Sequence, residues 1–151
     1  MTPYETERGK PIPSKNHGYV QGQLLYQLKN VAQKRYTCFS ELSLDLADWE
    51  SVPDIAIYPK MEIDFLHDET AMKEAPLAVI EILSPTQSLQ ELVTKAEKYF
   101  EHGVKSCWLV LLSVRNVYVF SNPTEHQVFS HKETLSDPSL SIEIPLGEVF
   151  S

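Results

Sequence analysis

The sequence contains little cysteine and no long apolar segment. Its two cysteines, Cys38 and Cys107, lie far apart in apolar, strand-like runs. This spacing argues against a disulfide framework or a cysteine-based zinc site and favours buried, reduced thiols. No apolar run approaches the roughly 18 residues that a membrane helix needs. The polar, proline-containing segment 1–17 also has no apolar stretch typical of a secretory signal. We therefore expect a cytoplasmic protein that does not contact a membrane.

Basic residues are scarce as well. The chain has 13 Lys and Arg against 21 Asp and Glu, a formal net charge of -8. Such an excess of acid argues against a sequence-independent coat on nucleic acid, which needs a basic surface. It does not exclude a nuclease, because acids that hold a divalent cation are part of this count and the cation reverses the local charge. With 151 residues and no internal repeats, the chain is expected to form one domain over residues 1–151.

Hydrophobic periodicity predicts two helices. The first runs from Asn16, the expected N-cap, to about Lys34. The second follows Ser88, which stands three residues before Glu91 in capping-box spacing, and ends at Gly103. Period-two alternation and short apolar runs predict strands, which are 36–46, 52–59, 77–83, 104–112, 116–120 and 126–132. This order indicates a mixed α/β fold in which the second helix crosses over onto a neighbouring strand.

One acid lies in an unexpected place. Glu81 interrupts the apolar run 77–83, which is typical of a strand buried on both faces. A buried carboxylate is costly unless it is paired or binds a metal; the alternative is an edge strand on which Glu81 faces water. Asp54 opens the preceding strand, after Pro53. If the two strands are neighbours, both acids meet at a strand end, where they and the backbone carbonyl of Ile82 suit Mg²⁺ or Mn²⁺.

A lysine on the second helix is the next candidate. On a helical wheel Lys95 lies at the margin of the apolar stripe, whereas Lys98 lies on the opposite, solvated face. Lys95 therefore either covers apolar surface with its stem or reaches over the stripe toward the two acids. Two acids, a metal and a lysine form a hydrolytic set, because the metal activates water and the lysine orients it or stabilises developing charge.

Several segments resemble the Uma-two restriction-endonuclease family. They are VPD at 52–54, AVIEILSPT at 78–86, the K-x-x-x-Y spacing from Lys95 to Tyr99, HGVKSCWLV at 102–110, and the lead-in ERGKPIPSKNH at 7–17. The resemblance covers nearly the whole chain. It implies the restriction-endonuclease-like PD-(D/E)XK fold, a mixed central β-sheet flanked by helices. It also implies a divalent-metal-dependent endonuclease that hydrolyses DNA phosphodiester bonds.

The resemblance also implies site residues. Asp54 and Glu81 match the two acids of the motif and would hold Mg²⁺ or Mn²⁺. The lysine position two residues after the second acid is taken by Leu83, so Lys95 on the following helix is the match. Glu41 is a possible further ligand, with a solvated position as the alternative. His17 resembles a family position, although a capping or surface role is the simpler expectation. Tyr99 and Trp108 are interpreted as core residues.

Two other functions fit the same residues. The first is a catalytically inactive nuclease-fold interaction domain, which the acidic net charge favours. The second is a metal-dependent hydrolase of a small phosphorylated or nucleotide substrate. If the chain cuts duplex DNA, a homodimer is expected, because dimer symmetry matches the two strands of the duplex.

Overall fold

The computed structural model describes residues 13–151. The first twelve residues, which include most of the family-like segment 7–17, lie outside the described residues. The elements in chain order are α1 (Lys15–Ala32), β1 (Tyr36–Ser40), β2 (Leu44–Asp45), β3 (Glu50–Ser51), β4 (Ile55–Pro59), β5 (Ala78–Ile82), α2 (Leu89–Glu101), β6 (Ser106–Leu111), β7 (Asn116–Asn122), β8 (Glu125–Ser130), β9 (Thr134–Asp137), β10 (Ile142–Pro145) and α3 (Leu146–Val149).

Six strands form a central mixed sheet in the order β1-β4-β5-β6-β7-β8. Every neighbouring pair is antiparallel except β5 and β6, which are parallel. Parallel strands need a crossover, and α2 supplies it between β5 and β6. The predicted fold class, a mixed central sheet flanked by helices, is confirmed.

The strand that carries Glu81 lies in the interior of the sheet. β5 has β4 on one side and β6 on the other, and all five of its residues are buried. Ile80 and Ile82 pack in a core with α1 and α3, whereas Val79 packs in a second core with α2. A strand covered on both faces excludes the edge-strand alternative for Glu81.

Helix α2 begins and ends as the sequence predicted. The Ser88 hydroxyl accepts a hydrogen bond from the Glu91 N–H at 3.2 Å, which satisfies one of the free donors of the first turn. Gly103 follows the helix with φ of +98°, a conformation that glycine adopts without a side-chain clash. The buried face of α2 then packs on the sheet through Leu92, Ala96 and Tyr99.

Three local predictions were wrong. Helix α1 is capped by Ser14 rather than Asn16, because the Ser14 hydroxyl accepts from the His17 N–H at 3.1 Å. The single strand expected over 36–46 is split into β1 and β2, since Glu41 has φ of +52°, which is incompatible with an extended strand. Cys38 was expected to be buried but is partly exposed, whereas Cys107 is buried; both are free thiols.

In the described part of the chain, no helix has the length and apolar character needed to cross a membrane.

Candidate active site

Three acids line up across three adjacent strands. Ser40 pairs with Ile55 in the β1–β4 register, and Ile55 pairs with Ile80 in the β4–β5 register. Continuing each register by one residue places Glu41 beside Asp54 and Asp54 beside Glu81, so the three acids form one row where these strands end or begin. Asp54 and Glu81 are only 2% and 3% exposed, whereas Glu41 is exposed. The row therefore has two buried carboxylates and one at its solvent edge.

The Asp54 carboxylate contacts the Ile82 backbone and the His17 ring. Its Oδ2 accepts a hydrogen bond of 2.7 Å from the Ile82 N–H and lies 3.2 Å from Nε2 of His17. Because Ile82 directly follows Glu81, the first contact attaches Asp54 to the strand that carries the second acid. The Ile82 backbone thus takes part in the site through its N–H. A role for its carbonyl oxygen as a metal ligand stays a prediction.

The Glu81 carboxylate is held by two residues of helix α2. Its Oε2 lies 2.6 Å from Nζ of Lys95 and accepts a hydrogen bond of 2.9 Å from the Tyr99 hydroxyl. Lys95 and Tyr99 are four residues apart, so they project from the same face of the helix. One oxygen of Glu81 therefore receives both partners.

Burial and charge act in opposite directions on Lys95. Burial lowers the pKa of its ammonium, but the adjacent Glu81 carboxylate, aided by Asp54, outweighs this effect and raises the pKa above its usual value of 10.5. Burial also raises the pKa of the Tyr99 hydroxyl, and the Glu81 charge raises it further. Lys95 is thus a cation and Tyr99 a neutral donor near pH 7.

The structure separates the two lysines of α2 as the helical wheel predicted. The Lys95 side chain is 24% exposed and reaches Glu81. Lys98 is exposed, and its Nζ lies 5.7 Å from the centre of the Trp49 ring on the outer side of the helix. Lys98 therefore provides a control position for the site.

His17 is closer to the site than expected. A capping or surface role was the simpler expectation, but the residue is only 4% exposed and lies against Asp54. Its Nδ1 is buried and has no hydrogen-bond partner among residues 13–151. Position 17 falls on the first turn of α1, and the packing of α1 against the sheet turns that face inward, which no local pattern indicates.

Glu41 is linked to Asp54 mainly through the backbone. Its N–H donates to the Asp54 carbonyl at 3.1 Å. The Gln21 amide bridges the two residues, donating to the Asp54 carbonyl at 3.0 Å and to Oε2 of Glu41 at 3.4 Å. Asp64, an acid in the exposed loop between β4 and β5, contacts His67 of the same loop instead of the site. Glu41 thus borders the site.

Sequence reasoning missed the polar role of Tyr99. The residue is fully buried, as a core residue should be, but its hydroxyl also lies 2.7 Å from Oγ of Ser51 in β3. The K-x-x-x-Y spacing was a usable signal, because a residue four positions after Lys95 shares its helix face. Ser51 gave no such signal, since its contact with Tyr99 spans 48 positions.

The two buried acids fit a hard divalent cation. Among the described residues, no group of three or more His, Cys, Asp and Glu side chains is arranged to hold a metal ion. Mg²⁺ does not need such a group, because one or two carboxylates commonly bind it together with water and substrate phosphate oxygens. Asp54 and Glu81 would provide these carboxylates. On Glu81, Lys95 and Tyr99 contact Oε2, so Oε1 is the oxygen left for a cation.

Comparisons with known proteins agree with this architecture. Residues 5–147 match the model of the Uma2 (Uma-two) family, which is described as "Putative restriction endonuclease". The fold is similar to the crystal structure of a putative nuclease belonging to DUF820 from Anabaena variabilis ATCC 29413, with a TM-score of 0.79 and 24% sequence identity. The alignment covers 93% of this chain and 83% of that chain. No curated protein matches the sequence.

Proposed function

We propose that this chain, which belongs to the Uma2 family, is a divalent-metal-dependent endonuclease that hydrolyses DNA phosphodiester bonds. The proposal depends most on one observation. Two carboxylates are buried on adjacent strands, and the ammonium of Lys95 lies 2.6 Å from one of them. A stretch of core that contains two acids and a lysine is expensive to bury for stability alone, which favours a catalytic role.

In this proposal Asp54 and Glu81 would hold Mg²⁺ or Mn²⁺, together with the backbone carbonyl of Ile82. When bound, the cation would neutralise the phosphodiester and lower the pKa of a coordinated water. Lys95 supplies a fixed positive charge. Because the pKa of Lys95 is raised, it serves as a hydrogen-bond donor and charge stabiliser for the phosphate oxygens rather than as a general base.

His17 would orient Asp54. With Nε2 only 3.2 Å from Oδ2 of Asp54, a hydrogen bond to this carboxylate requires the tautomer that carries a proton on Nε2 and leaves Nδ1 as an acceptor. Nδ1 is the buried atom without a partner in residues 13–151, and this tautomer places no unpaired donor there. Glu41, at the exposed end of the acidic row, is a further candidate ligand through water.

One alternative retains support. The chain is strongly acidic, with a net charge of -8, and the Lys95 ammonium balances the charge of Glu81 without any metal. Both observations suit a catalytically inactive interaction domain that keeps the nuclease fold. Under this alternative the wild-type protein binds its partner but cleaves no DNA.

The same proposal covers organisation and location. We expect residues 1–151 to form a single domain that acts as a homodimer, since two strands of a duplex must be cut. We also expect the enzyme to act in the cytoplasm.

A plasmid-nicking assay tests the proposed activity. Supercoiled DNA is incubated with wild type, Lys95→Ala and Lys98→Ala in Mg²⁺, in Mn²⁺ and in EDTA. We expect metal-dependent cleavage by wild type and by Lys98→Ala. Lys95→Ala should lose at least about 100-fold in rate, which is the usual scale for removing one electrostatic stabiliser.

Melting curves confirm that each variant is folded. Equal rates in the two lysine variants would remove Lys95 from the mechanism. If wild type cleaves no DNA in any metal, the interaction domain becomes the better description.

A further inference from the structure

A chain of two hydrogen bonds runs from Ser51 through Tyr99 to Glu81. Oγ of Ser51 lies 2.7 Å from the Tyr99 hydroxyl, which lies 2.9 Å from Oε2 of Glu81. All three residues are buried, and Tyr99 has no exposed surface. The chain joins strand β3, helix α2 and strand β5, three elements that are distant in sequence.

The direction of this chain follows from its chemistry. An ionised carboxylate only accepts hydrogen bonds, so the single hydroxyl proton of Tyr99 goes to Glu81. The Tyr99 oxygen must then accept, and Ser51 is the donor. Hydrogen bonds in series polarise one another, so Ser51 strengthens the bond that Tyr99 makes to Glu81.

As a result, the two carboxylate oxygens of Glu81 have different surroundings. Lys95 and Tyr99 both point at Oε2, which leaves Oε1 for another ligand. We infer that Tyr99, supported by Ser51, is a positioning residue that fixes the Glu81 carboxylate so that Oε1 is offered to the divalent cation. This inference rests on the proposed function, and it goes further by assigning the orientation of one metal ligand to a buried tyrosine.

Packing against a second aromatic residue also holds the Tyr99 ring in place. The Trp49 ring packs edge-on against it, with ring centres 4.8 Å apart. One polar contact then holds the β2–β3 hairpin to the end of α2: Nε2 of His102, the residue that follows the helix, lies 2.7 Å from Oδ1 of Asp48. The hairpin that carries Ser51 is therefore attached to the helix that carries Tyr99.

The test compares two tyrosines that each lose one buried hydroxyl. Tyr99→Phe removes the bond to Glu81, whereas Tyr58→Phe removes a bond of 2.8 Å to the backbone carbonyl of Glu74, outside the site. The Mn²⁺ affinity of the 151-residue chain is measured by isothermal titration calorimetry. We expect Tyr99→Phe to bind Mn²⁺ about 10- to 100-fold more weakly, as is typical when the support of a metal ligand is lost. Tyr58→Phe should match wild type.

Ser51→Ala provides a second variant, because it keeps Tyr99 in place. It should weaken Mn²⁺ binding in the same direction but less, and it carries the test if Tyr99→Phe does not fold. A purely structural role for Tyr99 would lower the melting temperature and leave the Mn²⁺ affinity of the folded protein unchanged. That result would overturn the inference.

The outcomes also separate this inference from the proposed function. If wild type binds Mn²⁺ and Tyr99→Phe binds it equally well, only the inference fails. If wild type binds no Mn²⁺, both fail. If Tyr99→Phe weakens Mn²⁺ binding but wild type cuts no DNA, the inference stands and the endonuclease activity is refuted.

Discussion

Removing the Lys95 ammonium should destabilise the protein measurably. In Lys95→Ala, Glu81 loses a cation 2.6 Å from its Oε2 and keeps only the Tyr99 hydroxyl there. Breaking a fully buried ion pair costs about 3–5 kcal/mol, because a buried charge is left without compensation. Lys95 is about a quarter exposed, so water can enter the vacated space and reduce this cost. We expect a loss of about 2 kcal/mol in the free energy of unfolding.

Thermal denaturation followed by circular dichroism measures this loss. For a domain of this length, about 2 kcal/mol corresponds to a fall of about 4–8 °C in melting temperature. Lys98→Ala is the matched control, since it removes an exposed lysine from the same helix and should change the free energy of unfolding by less than about 0.5 kcal/mol. Equal melting temperatures for the two variants would refute the claim that Lys95 compensates a buried charge.

A double-mutant cycle isolates the pair. Glu81→Gln in the Lys95→Ala background replaces the uncompensated carboxylate with a neutral amide whose oxygen still accepts from Tyr99. The double variant should therefore be more stable than Lys95→Ala alone, with a coupling energy of about 1–2 kcal/mol. Additive effects would contradict a direct interaction.

Two further predictions concern stability. The pKa values of Lys95 and Tyr99 are raised in the folded state. Their contribution to the free energy of unfolding is therefore complete below the unfolded pKa values near 10 and is lost as pH rises through the folded values. Denaturant titrations should show stability falling above about pH 10, and a flat profile there would contradict the raised pKa values. Asp137→Ala should lower the free energy of unfolding, measured in urea, by about 3–5 kcal/mol. The buried Ser106 hydroxyl and Trp108 N–H would lose the carboxylate oxygen to which they donate at 2.5 and 2.8 Å. A loss below about 1 kcal/mol would show that water replaces this oxygen as the acceptor.

Patterns within one element were predicted well from the sequence. The Ser88 and Glu91 spacing located the start of α2, because capping is a contact between residues three positions apart. The apolar run around Glu81 predicted a doubly covered strand, since such runs survive only where both faces are buried. The candidate roles of Glu81 and Lys95 were predicted in the same way, from the pattern of residues within a single strand or helix.

Contacts between residues far apart in the chain could not be predicted from the sequence. His17 contacts Asp54, which lies 37 positions later in the chain. The Ser51 contact depends on the β2–β3 hairpin, which was hidden by the continuous alternation over 36–46. The left-handed conformation of Glu41 interrupts that alternation, although glutamate has no local preference for it. These features arise from packing between elements, which periodicity does not encode.

The position of a bound cation tests the central claim most directly. Crystals soaked in Mn²⁺ would locate the ion by its anomalous scattering. We expect one strong peak with Asp54 and Glu81 oxygens about 2.1 Å away, and no peak there in Glu81→Gln crystals. A peak elsewhere in the molecule, or an undiminished peak in the Glu81→Gln variant, would contradict a metal site built on these two carboxylates.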